Sequence, residues 1–188
     1  PGRTMEFRRR VLHPGSAIGE HPIDHDEVYY VLAGEGEVVS DGERHILTVL
    51  AGSELARSLA RQGDRPGASA VMARLQLVGQ PDTFGRDARA VDIHELWAET
   101  LLLLGRTEDA AVALAGFRAR ASEVLPEHHP RLAMARCFES QIATRRGQLD
   151  QAGGALSACR WGLARLAPDD YRRRALADAE QAVDAMIR

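Results

Sequence analysis

From His94 to Pro130 the chain reads HELWAETLLLLGRTEDAAVALAGFRARASEVLPEHHP, with apolar residues at helical spacing. Leu96, Trp97, Leu101 and Leu104 precede Gly105, and a second run passes through Ala110, Leu114 and Phe117 to Leu125 before Pro126. A glycine just past one helix, followed by a first turn carrying Glu108 and Asp109, predicts an antiparallel helix pair. Neither helix is apolar all round, so each is expected to bury a single stripe against a neighbour.

The same pattern recurs. Gly63, Gly105 and Gly147 stand 42 residues apart, and each is followed five residues on by alanine: Ala68, Ala110 and Ala152. At the same interval Ala56 falls on Ala98, Leu59 on Leu101, and Met72 on Leu114 and Leu156; Arg118 falls on Arg160 and Pro126 on Pro168. Self-similarity at a fixed period predicts stacked hairpins, each burying its apolar stripe only against the next. Small residues mark the close helix crossings, and large ones fill the gaps beside them.

These positions resemble the tetratricopeptide repeat, with a small residue at its eighth position (Ala56, Ala98, then Ser140), glycine at the turn and alanine five residues later. That repeat has a usual period of about 34 residues. The longer interval is similar to the kinesin-light-chain type, which has extended second helices and a loop spelled with Pro, Asp and His. The resemblance covers about residues 46–188. It implies a mainly α fold, a right-handed α-α solenoid of three helical hairpins plus a capping helix from Tyr171 to Ile187. That helix is expected to turn Leu176, Ala179, Val183 and Met186 inward, and Arg173, Asp178 and Glu180 outward. The resemblance also implies a concave groove lined by the first helix of each pair. It names Ser53, Arg57 and Arg61 in the first repeat, Asp92, Glu95, Glu99 and Leu102 in the second, and Cys137, Gln141 and Arg145 in the third. Basic, then acidic, then basic suits an extended or helical peptide held by charge-assisted hydrogen bonds.

The first 45 residues are written differently. Glu6–Leu12, Val28–Leu32 and Glu37–Ser40 read as short strands punctuated by Gly15, Gly19, Gly34, Gly36 and the turn Asp41-Gly42. The stretch PGSAIGEHPIDHDEVYYVLAGEGEVVSDGE resembles the first cupin motif, with Gly15, His21, Glu27 and Gly34 at the family's spacing. In metal-binding cupins that motif supplies two histidines and a glutamate, and a later motif supplies a third histidine. Here Ile23 stands where the second histidine belongs, with His25 two residues on as its substitute. The second motif does not follow, because Arg44 onward already reads as the first repeat helix. The resemblance therefore implies half a cupin, a short β-meander. Its open edges call for cover by helices or for pairing with a second copy in a homodimer. His21, His25 and Glu27 are the candidate ligands for a divalent transition metal, since imidazole with carboxylate suits such ions and His25 and Glu27 share one face of an extended strand.

Composition narrows the remaining classes. A net charge of −3 favours neither nucleic acid nor membrane as partner. All 24 basic residues are arginine, which reads as a bacterial-type coding bias. No apolar run approaches the ~18 residues of a membrane span and no signal-peptide pattern is present, so a cytoplasmic protein is expected. The chain opens on Pro1, as a piece of something longer would. Cys137 and Cys159 fall at apolar helical positions and read as two small core residues rather than a disulfide. His128-His129 reads as a helix-leading loop with Pro130 in the first turn, and His45 and His94 as surface or core residues of helices. The runs Arg8–Arg10 and Arg172–Arg174 read as solvated faces. No Ser-His-Asp order, P-loop or Rossmann glycine pattern appears.

Two units are thus expected, a cupin-like β segment over 1–45 and a helical repeat domain over 46–188. The leading functional expectation is a non-enzymatic scaffold that binds a protein or peptide partner and needs no cofactor. The alternative is a cupin-type metal-binding sensor or small-molecule enzyme using His21, His25 and Glu27. A third reading makes the join near 42–50 a fusion or truncation of two unrelated proteins.

Overall fold

The computed structural model describes residues 11–16, 46–78, 81–84 and 87–188. The chain divides into two units, Pro1–Val38 and Val39–Arg188. In the first, residues 11–16 end in a turn in which the Ser16 amide donates to the His13 carbonyl over 2.9 Å. The strands expected at 28–32 and 37–40, and most of 6–12, lie outside the described residues; Val11 and Leu12 are exposed and outside any strand.

The described part of the second unit is helical. It comprises α1 (Ile46–Arg61), α2 (Arg65–Val78), α3 (Arg89–Leu103), α4 (Thr107–Val124), α5 (Pro130–Arg145), α6 (Leu149–Leu163) and α7 (Arg172–Ile187), with a 3-10 turn at Pro81–Phe84. No strand occurs among the described residues. α1 packs on α2, α3 on α4 and α5 on α6, while the first helices also pack side by side, α1 on α3, α3 on α5 and α5 on α7.

The three tight turns between paired helices are built alike, bond by bond. Gly63, Gly105 and Gly147 take φ of 86°, 81° and 73°. Their amides donate to Ala60, Leu102 and Thr144, and the next amides, of Asp64, Arg106 and Gln148, reach back to Leu59, Leu101 and Ala143. This is the Schellman arrangement, which satisfies two terminal carbonyls and requires a left-handed residue that only glycine adopts without cost. Five residues after each glycine, Ala68, Ala110 and Ala152 are fully buried where the paired helices cross. At the same 42-residue interval Ala56, Ala98 and Ser140 are fully buried too, and the Ser140 hydroxyl donates across the crossing to the Ala152 carbonyl at 2.9 Å. A larger side chain at these six places would push two helices apart.

The apolar core is continuous from Ile46 on α1 to Val183 on α7, with Phe117 and Phe138 its largest fully buried side chains. The expectation of one buried stripe per helix fails for α3. There the run from Ala90 to Leu102 is buried except at Asp92, charged Glu95 and Glu99 included. Three helices, α1, α4 and α5, surround it, so it has no broad solvent face. His94 is buried against Gly116, whose missing side chain makes room for the imidazole.

Before three helices a side chain accepts the amide N–H two residues on: Asp87 from Arg89, His129 from Arg131 and Asp170 from Arg172. His129 is the N-cap of α5. The polar side of α7 does not face outward as expected. The Arg173 guanidinium caps the end of α6, donating to the Leu166 carbonyl at 2.7 Å; Glu180 pairs with Arg160 of α6, and Asp178 turns toward α1. Ala175, Ala179 and Val183 are the buried residues of α7, while Met186 is 37 % exposed, because the packed part of the helix ends a turn before it. Cys137 and Cys159 are bonded as a disulfide between α5 and α6, with Cα atoms 5.3 Å apart. Both are fully buried, as expected of small core residues, but not as separate thiols, because the helix crossing brings the pair within bridging range.

Candidate interaction face

Along α3, Asp92, Glu95 and Glu99 follow one another at helical spacing and present one acidic face. Like charges at such spacing repel, and the neighbouring helices answer them from both sides. From α1, Arg61 donates to Glu99 through Nε at 2.6 Å and through Nη2, and Arg57 approaches the second oxygen of Glu99 at 3.5 Å. From α5, Arg131 donates to Glu95 at 2.5 Å and to Asp92 at 2.7 Å, with its guanidinium 5.7 Å from the centre of the Phe117 ring. From α7, Asp178 stands 3.7 Å from Arg61. Charges from all four side-by-side helices thus form a network of two clusters, one around Glu99 and one around Glu95 and Asp92.

Burial sets its electrostatics. Burial pushes the Glu95 carboxyl above its ordinary value, and the Arg131 guanidinium only partly offsets this. Asp178 is raised for the same reason, with Arg61 opposing. Burial, Arg131 and Arg172 hold the His129 imidazole below its usual range. The neutral ring suits the bond its Nδ1 accepts from the Arg131 amide at 3.2 Å. At the edge, Arg172 holds the Asp170 carboxyl down to about 2, and the same guanidinium lies 5.4 Å from the Tyr171 ring centre.

The structure sorts the ten residues expected to line a groove. Arg57, Arg61, Asp92, Glu95 and Glu99 belong to the network just described. Arg145 is exposed, its guanidinium held below its usual range by burial of part of the side chain and by the nearby Arg65. Gln141 is buried at 8 % exposure. Ser53, Leu102 and Cys137 are corrections, because each is buried in the core. Ser53 donates to the Val49 carbonyl at 2.6 Å and accepts the Trp97 indole N–H at 2.8 Å, and Cys137 is bonded to Cys159. The reason is shared: side-by-side first helices pack directly where an open face was expected.

Sequence reasoning missed Arg131, the most connected cation of the face. A signal was there, since arginine in a first turn opposes the helix dipole and calls for acidic neighbours. His21, His25 and Glu27 lie outside the described residues. Among the described residues no group of three or more His, Cys, Asp or Glu is placed to hold a metal ion, and no helix is long and apolar enough to cross a membrane. The chain matches no protein-family model, no curated protein and no solved structure.

Proposed function

We propose that the helical unit is a protein-interaction scaffold, a right-handed solenoid of three tetratricopeptide-like hairpins with a capping helix, which holds a peptide or protein partner along the face of α1, α3 and α5. A cupin-like β-meander over residues 1–45 completes this reading. The observation that carries it is the triple turn: the same two backbone hydrogen bonds around glycines 42 residues apart. Units repeated in that way stack into extended surfaces, and such surfaces serve recognition rather than turnover. The charged network gives the surface its chemistry. Its guanidiniums are already held in place by internal carboxylates, so a partner carboxylate exchanges with one of these and finds a preorganised fork. Arg57 and Arg145, at the accessible margins of the face, are the residues a partner meets first.

Panning a random peptide library against the immobilised chain tests this. Enriched peptides are expected to bind about tenfold more weakly to Arg145→Glu, with affinity falling as salt rises. Arg165→Glu, exposed beyond the end of α6, is expected to leave them unchanged. No enrichment, or equal loss in both variants, would remove the reading.

A further inference from the structure

Between α4 and α6, with α5 as its floor, runs an open cleft of about 520 Å³. Its walls are small residues, Ala111 and Ala115 from α4 and Gly154 and Ala158 from α6. Its floor carries charge. Arg118 of α4 and Arg136 of α5 both donate to one carboxylate, that of Glu139, Arg136 at 2.8 Å. Among the described residues these are the only acceptors either guanidinium has, and both side chains are nearly half exposed, at 47 % and 46 %.

The internal repeat shows what sets this place apart. Forty-two residues earlier, Glu139 corresponds to Trp97 and Arg136 to His94, both buried, while Gly154 corresponds to Val112. Where the second pair fills this level with an indole and an imidazole, the third carries Arg136 and Glu139, which join Arg118 of α4 in a guanidinium–carboxylate–guanidinium triad facing an open cleft. One turn beyond Ala158 on α6 stands Trp161, 78 % exposed. Residues three apart lie on one side of a helix, so it follows Ala158 along the same side of α6.

We propose that this cleft seats an acidic amphipathic helix of a protein partner. Small walls let a helix approach closely, as in grooves that take an apolar helical stripe. Two guanidiniums share one carboxylate, so the triad is net positive and retains N–H donors for incoming carboxylates at i, i+4 spacing. The exposed indole supplies the aromatic contact that dominates such interfaces. The inference stands apart from the face of α1, α3 and α5 and does not depend on it.

The test uses the full chain and two labelled, end-capped helical peptides, each with a Leu/Ala stripe flanked by Glu in one and by Lys in the other, followed by fluorescence anisotropy. The Glu peptide is expected to bind, and the Lys peptide at least about tenfold more weakly. Ala158→Glu, at an exposed helical position, is expected to keep the parent's circular dichroism and to weaken the Glu peptide about tenfold, and Arg118→Ser similarly. Equal affinity for the two peptides, no binding of the Glu peptide, or indifference to Ala158→Glu would overturn the proposal. So would a dimer in sedimentation velocity that Ala158→Glu dissolves, which would give the cleft to a second copy of this chain.

Discussion

The two tryptophans belong to two kinds of helix. Trp97 lies on α3, in the row of first helices, where it is 4 % exposed and its indole N–H donates to Ser53 of α1. Trp161 lies on α6, in the row of second helices, and is 78 % exposed. α3 is packed by α1, α4 and α5, whereas α6 packs on α5 and α7 and leaves its remaining side to the cleft. Burial here follows the number of neighbouring helices more than the character of the side chain. In the first row even carboxylates are buried and must be paired; in the second, an indole is left in solvent.

The largest expected effect breaks that contrast directly. Trp97→Ala removes a buried ring and leaves a cavity beside Ser53, so it is expected to cost about 4 kcal/mol in urea unfolding. Trp161→Ala is expected to stay within about 0.5 kcal/mol of the parent. Comparable losses in the two variants would mean that the rows do not differ as described.

Next in size is the buried pairing that the first row requires. Arg131→Ala leaves Glu95 and Asp92 without their guanidinium, and Glu95 has only 10 % of its side chain exposed. The expected loss is about 3 kcal/mol, in the range for removing one partner of a buried ion pair. Glu95→Gln keeps an acceptor for Arg131 and sheds the desolvated charge, so it is expected to be at least as stable as the parent. The pH dependence carries the same information. The carboxyl of Glu95 is raised in the folded chain above the unfolded value of 4.5, so the folded form binds the extra proton. Its contribution is therefore complete below about pH 4.5 and is lost as pH rises toward the raised value. Unfolding midpoints of the parent and of Glu95→Gln, compared from pH 4 upward, are expected to converge at the acid end and to separate in favour of the variant as pH rises. Parallel curves would sink this account.

Much of the helical plan was legible in the sequence, because glycine at the turn, alanine at the crossing and apolar spacing of three to four each answer a local physical demand. Pro130 in the first turn of α5, and the start of α7 within a residue of that expected, are of that kind. The candidate face was legible only in its order of signs. Acidic residues on α3 with basic residues on either side can be read from spacing, whereas the packing of first helices against each other cannot. That packing hides Ser53, Leu102 and Cys137 and brings Arg131 onto Glu95 and Asp92. The disulfide escaped for a similar reason: Cys137 and Cys159 are 22 residues apart, and their proximity follows from how two helices cross. The cleft between α4 and α6 was hidden as well, although the clue was present in the change from Trp97 to Glu139 at equivalent repeat positions.

The smallest effects separate glycines by what each one does. Gly105 ends α3 with φ of 81°, and nothing lies within 4 Å of where a Cβ would stand. Alanine there would meet no clash, so its whole cost is the left-handed backbone, about 1–2 kcal/mol. Gly153 sits inside α6 with open space at its Cβ and no positive φ, so alanine there is expected to stabilise by about 0.5–1 kcal/mol through helix propensity. Thermal melts of Gly105→Ala and Gly153→Ala should therefore shift in opposite directions. Gly63→Ala and Gly147→Ala should lose about as much as Gly105→Ala, because the three turns make the same backbone bonds at nearly the same φ. A neutral result at any one of the three would show that its turn relaxes to a form that no longer needs glycine, and the equivalence of the hairpins would fail at that pair first.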